Sequence, residues 1–204
     1  MILTPIPRGR LAAALGRFDA RLDDPAARAA FARIRATSPE RAAGALAEEH
    51  RHQALALARG CGMAIHLAGA RPGFNWDGAA LDADTEAYVI LHEAAHFVLA
   101  PPERRRLADF GLGPGPDTTA RAAAERAAVL PLPEREADEA AASLLGILWE
   151  VALGQPALAS FLDQNWLEGL ERSAAAHFTA VFCRLQRCGA VDCAGASARS
   201  VLRR

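Results

Sequence analysis

The chain has 204 residues, a size at the upper end of one ordinary domain, and 51% of them are apolar, which excludes wholesale disorder. Its 23 basic and 24 acidic side chains leave a formal charge of −1, which argues against nucleic acid or an anionic membrane surface as a partner. Ala, Leu, Arg and Glu dominate, all strong helix formers, so composition points to a mostly α fold in a single helical domain.

The first 16 residues carry Pro5, Pro7 and several Arg without the apolar run of a signal peptide. The longest strongly apolar stretch, 140–149, is about half of a bilayer span. The expected location is therefore the cytoplasm, with no membrane contact. Cys61, Cys183, Cys188 and Cys193 form no CxxC pair, and in a reducing compartment they are expected as free thiols.

In chain order, a first helix is expected over 9–22. Asp24-Pro25 and Ser38-Pro39 each place a capping side chain before a proline at the first helical position, opening helices over 25–36 and 39–59. Residues 61–82 are punctuated by Gly62, Gly69, Gly73 and Gly78 and read as a loop or small β element, with a short strand over 63–67. Asp82 or Asp84 is placed to cap a helix running to 100, where Pro101-Pro102 ends it.

Residues 103–132 are rich in Arg, Gly and Pro, most densely over 111–116, and read as a flexible substrate-facing loop. Arg104, Arg105 and Arg106 read as a solvated basic turn, with an acidic partner surface as the alternative. Pro133 opens a helix over 134–153, ended by Gly154 and Pro156, and a last helix spans 168–188 before a tail. One domain, 1–204, thus divides into helical support (1–60), a metal-site region (61–170), and a C-terminal helix and tail (171–204).

The chemistry concentrates in the helix ending at 100. Between Tyr88 and Ala100 the strongly polar side chains are His92, Glu93 and His96, on a helix otherwise apolar all round. Burying three such groups costs several kcal/mol unless they are satisfied. His92 and His96 are four apart and leave the same face, within reach of one ion. Glu93 projects about 100° away, suited to a water or proton beside the metal rather than to the metal itself.

Two histidines undersupply a divalent ion, so a third protein ligand is expected. The acidic run Glu134-Arg-Glu-Ala-Asp-Glu139 supplies candidates. Helix phase favours Glu134 with Asp138, near the stripe Ala141, Leu145, Leu148, an arrangement resembling the Glu-x-x-Ala-Asp signature of some zinc peptidases. Glu136 and Glu139 remain alternatives, and all of these acids also offset the helix dipole.

Further motifs bring the chain close to a known family. Leu91-His-Glu-Ala-Ala-His-Phe97 is followed by Arg104-Arg-Arg-Leu-Ala-Asp-Phe-Gly111, Pro116-Asp117, Glu136, Glu139, Gly154-Gln-Pro156 and Asp163-Gln-Asn-Trp-Leu-Glu-Gly169. In order and approximate spacing this run, about two-fifths of the chain, resembles the bacterial elongation factor P hydroxylases. The resemblance implies a zincin-like metal helix packed against a second, ligand-bearing helix. It also implies a non-haem Fe(II) site of two His and one carboxylate, which hydroxylates a protein or peptide side chain of, for example, a translation factor. Counted back from Gly154, the family's third ligand falls on Glu139, and Glu93 becomes a group that orients water or takes a proton. The aromatic segment after Asp-Phe-Gly is replaced by Leu112-Gly-Pro-Gly115, and the Lys-Pro after the ligand Glu by Ala-Ala. The alternative chemistry is a Zn(II) hydrolase or peptidase with Glu93 as general base.

Overall fold

The computed structural model describes residues 6–70, 72–167 and 173–192. Among them the chain forms α1 (Arg8–Asp19), α2 (Pro25–Arg35), α3 (Ala45–Gly60), α4 (Ala87–Leu99), α5 (Arg121–Ala127), α6 (Leu132–Ala152), α7 (Ala157–Asp163) and α8 (Ala174–Arg187). The mostly α, single-domain expectation holds, and no described helix is long and apolar enough to cross a membrane.

Local signals explain several of the boundaries. Asp24 accepts the Ala27 amide at 2.7 Å, with Pro25 opening α2, and Ser173 accepts the Ala176 amide at the start of α8. Pro133 lies in the first turn of α6, as expected, and Pro101-Pro102 follows the end of α4. Residues 168–172, where the last helix is expected to start, and the tail beyond 192 lie outside the described residues.

Three expectations are corrected. Ser38-Pro39 does not open a helix: α3 begins at Ala45 behind Gly44 (φ 59), and Ser38 Oγ instead accepts the Glu40 amide in a turn. The physical reason lies over a hundred residues away in the chain. Thr37 Oγ1 accepts the Leu158 amide at 2.8 Å and the Ser38 carbonyl accepts the Ala159 amide at 3.2 Å, so this segment caps α7. Neither Asp82 nor Asp84 caps α4, which starts behind Glu86 without a side-chain cap; Asp82 accepts the Asp84 amide and Asp84 the Gly69 amide. The expected strand over 63–67 is a pair of isolated bridges, Ile65 with Leu81 and Trp76 with Leu81. Gly78 (φ 94) lets this connector press against the following turn, where a Cβ would lie 2.6 Å from the Arg106 carbonyl oxygen.

The buried side chains form one continuous core. Phe18, Phe31, Phe161, Phe178 and Phe182 from α1, α2, α7 and α8 pack together, mostly edge-to-face or tilted, with neighbouring ring centroids 4.6–6.4 Å apart. Beside them α4 packs on α3 and α6, burying Ile90, Leu91 and Ala94 against Leu144, Leu148 and Trp149. Gly146 lets α6 lie close against the backbone of α4. A Cβ there would sit 3.3 Å from both the N and Cα of His92.

Candidate metal centre

Two turns before Gly146, on the same face of α6, Glu139 reaches the metal helix. Its Oε2 lies 3.2 Å from His92 Nε2 and 3.4 Å from His96 Nε2, and the two Nε2 atoms are 3.0 Å apart. Of the described His, Cys, Asp and Glu, these three form the group placed to hold a metal ion. Glu134 and Glu136 do not join it, although Glu136 stands on the rim of the same cavity.

Helix phase misleads because α6 is buried on every side from Ala141 to Glu150. The face carrying Glu139, Ser143, Gly146 and Glu150 is therefore as much an interior face as the Leu145 and Leu148 stripe. Asp138 is buried too, but its carboxylate accepts from Arg104 Nη2 at 2.6 Å and Arg184 Nη2 at 3.0 Å. Arg104 is 8% exposed, so the solvated basic turn expected at 104–106 does not hold for it.

The triangle of donors is hard to satisfy with protons alone. If both imidazoles donate to Glu139, two N–H groups face each other at 3.0 Å. If one imidazole donates to the other, the second sets a lone pair against the carboxylate at 3.2–3.4 Å. A cation removes the conflict by accepting all three lone pairs. Ligands about 2.1 Å from one ion lie about 3.0 Å apart at 90° and about 3.4 Å apart at 109°. The observed spacings span that range, so the residues fit a divalent transition metal, and among the described residues no fourth donor joins them.

Glu139 has a half-exposed side chain, and His92 and His96 are more enclosed. Burial alone would raise the Glu139 carboxyl, but His96 and His92 beside it hold it far below the usual carboxylate range. Glu93 is turned into the same cavity and accepts from Asn75 Nδ2 at 3.3 Å. Burial pushes its carboxyl up to about 7, with the neighbouring carboxylates Asp109 and Glu139 adding to the shift and His92 opposing it.

The cavity in front of the triad has a volume of about 1340 Å³, above the range of about 300–1,000 Å³ usual for small-molecule pockets. The described lining includes six carboxylates, Glu93, Asp109, Asp117, Glu136, Glu139 and Asp163, and no Lys or Arg. Leu112, Gly113, Gly115 and Pro116 of the Gly/Pro segment line this cavity, and hydrogen bonds tie the segment to its neighbours. Thr118 Oγ1 donates to Asp109 at 2.7 Å and accepts the Gly115 amide at 3.0 Å. Elsewhere in the lining Trp166 donates to Ser143 Oγ at 2.8 Å and stacks on His177, with centroids 5.3 Å apart.

Asp109 (φ 44) and Phe110 (φ 52) are consecutive left-handed residues without being glycine, a conformation costing about 1–3 kcal/mol each. The Phe110 ring stacks on His96 at 5.4 Å and on Trp76 at 5.7 Å, which repays part of that cost. Sequence reasoning assigns no role to Asn75, Asp109 or Phe110. Asp109 and Phe110 fall within a motif that marks the family resemblance, which is the signal that could have singled them out. Asn75 sits in a glycine-punctuated connector with no periodicity to read. Compared with known proteins, the chain matches no family model, no curated protein and no solved structure.

Proposed function

We propose that the protein is a metal-dependent oxygenase that holds Fe(II) through His92, His96 and Glu139 and hydroxylates a side chain of a protein or peptide. The observation that carries this reading is the convergence of two imidazoles and one carboxylate within 3.4 Å, facing a large open cavity. Two His and one carboxylate, with free positions beside them, is the donor set of non-haem iron oxygenases. When bound, Fe(II) supplies the redox chemistry by which O₂ and an external two-electron reductant convert C–H to C–OH and water. The chain's own contribution is to orient the donors, with Phe110 stacked on His96, and to offer Glu93 as a proton acceptor beside them. The motif resemblance to elongation factor P hydroxylases supports the same reading, with a translation factor among the candidate substrates. The acidic lining favours a substrate segment bearing a cationic group over an anionic one. The free thiols Cys61, Cys183 and Cys188 suit a reducing cytoplasm.

A second reading, a Zn(II) hydrolase, is favoured by the placement of Glu93, next to His92 on α4 and lining the same cavity, where it could deprotonate an attacking water. Against a peptidase, no strand runs alongside α4 among the described residues to align an extended substrate. The deciding test is metal content after anaerobic purification from iron-supplemented cells, followed by O₂ uptake with candidate peptides. Stoichiometric iron and substrate-linked O₂ consumption, both lost in His92→Ala, support the oxygenase. Tightly held zinc, with hydrolysis lost in Glu93→Gln, transfers the assignment to the hydrolase.

A further inference from the structure

We infer that Arg104 is a positioning residue of the metal centre, one guanidinium tying the backbone behind the His96-stacked ring to the carboxylate adjoining Glu139. The inference rests on the metal-binding reading of the triad.

A histidine that binds metal through Nε2 is ordinarily oriented by a hydrogen bond from Nδ1 to a carboxylate or carbonyl. Here His96 Nδ1 is buried and has no hydrogen-bond partner among the described residues. On the face of the imidazole lies the Phe110 ring, stacked at 5.4 Å and 25°. Phe110 in turn sits in a left-handed conformation that needs external support. Part of that support is Arg104 Nη1, which donates to the Phe110 carbonyl at 3.4 Å.

The other arm of the same guanidinium reaches α6. Arg104 Nη2 donates to Asp138 Oδ2 at 2.6 Å, and Asp138 immediately precedes Glu139. Arg184 from α8 completes the grip, donating to Asp138 Oδ1 at 3.0 Å and to the Ala137 carbonyl at 2.5 Å. The turn of α6 that presents Glu139 and the ring that presents His96 are thus held by one side chain. A buried ion pair is a poor source of net stability, and a well-packed apolar pair commonly does as well. Its use here is geometric: a planar fork presents donors on two nitrogens at fixed directions and so spans two separated acceptors, whereas a lysine brings all its donors to a single nitrogen.

The test titrates the metal-free chain with Co(II) alone, reading both affinity and the visible ligand-field spectrum, beside thermal unfolding of the same samples. Arg104→Lys is expected to weaken Co(II) binding about 10- to 100-fold and to alter the spectrum. Phe31→Leu, in the aromatic cluster away from the site, serves as the stability control. It should lower Tm at least as much while leaving affinity within about 2-fold. If Arg104→Lys does not fold, Asp138→Asn decides, with the same expectation. Unchanged affinity and spectrum in the variant overturn the inference, as does a loss that merely tracks Tm across both variants. Should the unaltered chain bind Co(II) and His92→Ala not, while Arg104→Lys binds like the unaltered chain, only this inference falls. Should the unaltered chain bind no Co(II), the metal reading falls and takes this one with it.

Discussion

Replacing Glu150 by Gln asks whether desolvation or ion pairing governs the interior of α6. Glu150 is 2% exposed, and its Oε1 lies 3.6 Å from Arg41 Nη1. Arg41 is more solvated and already donates to Ser160 Oγ at 2.8 Å and Asp163 Oδ2 at 2.9 Å, with its guanidinium over the Tyr88 ring. Burial therefore wins over the nearby charge and pushes the Glu150 carboxyl from 4.5 up to about 7. A folded-state value above the unfolded one means that the protonated form is favoured by folding. Its contribution to stability is fully present below pH 4.5 and is lost as pH rises through about 7. At 1.36 kcal/mol per unit the loss amounts to about 3 kcal/mol. Urea unfolding of both proteins from pH 4.5 to 8 is the assay. The two should be nearly equal at the acid end, and Glu150→Gln should be more stable by up to about 3 kcal/mol at pH 8. Parallel pH profiles, or a variant that is less stable at pH 8, would refute the reasoning and show that the Arg41 pair outweighs the desolvation of Glu150.

Three further outcomes are expected. Glu139→Ala should reduce divalent-metal affinity to that of the two histidines alone while leaving the helical circular dichroism unchanged; retention of full affinity would shift the third ligand to Glu136. Gly146→Ala gains about 1 kcal/mol of helix propensity but drives a methyl to 3.3 Å from the His92 backbone, so metal binding should weaken with no rise in Tm. Intact binding together with a higher Tm would show that α4 can shift freely. Asp24→Ala should cost about 1 kcal/mol in chemical denaturation by removing the cap of α2, with metal affinity unaltered.

Much of this architecture was legible in one dimension where the signal is local. The Asp24-Pro25 cap, Pro133, the double proline after α4 and the HExxH spacing each act within one or two helical turns, so their physics is present in the string of residues. The start of α3 and the whole of α7 were not, because α7 is seven residues long and draws amide partners from Thr37 and Ser38, far away in the chain. Motif spacing singles out Glu139, and helix phase does not. Phase reads burial from one helix alone, and an alanine-rich helix buried on every side has no phase to read.

By itself, then, the sequence determined that the chain is helical and that two histidines and a glutamate share one apolar helix, since composition and i, i+4 spacing are properties of the covalent chain. Motif spacing singles out Glu139 from the 134–139 run, but its meeting with those histidines is a matter of tertiary structure, because it depends on how closely α6 can approach α4 over Gly146. Tertiary structure also decided that Arg104 is a buried strut and not a solvated charge, since an arginine's partner is chosen by the packing of segments distant in the chain.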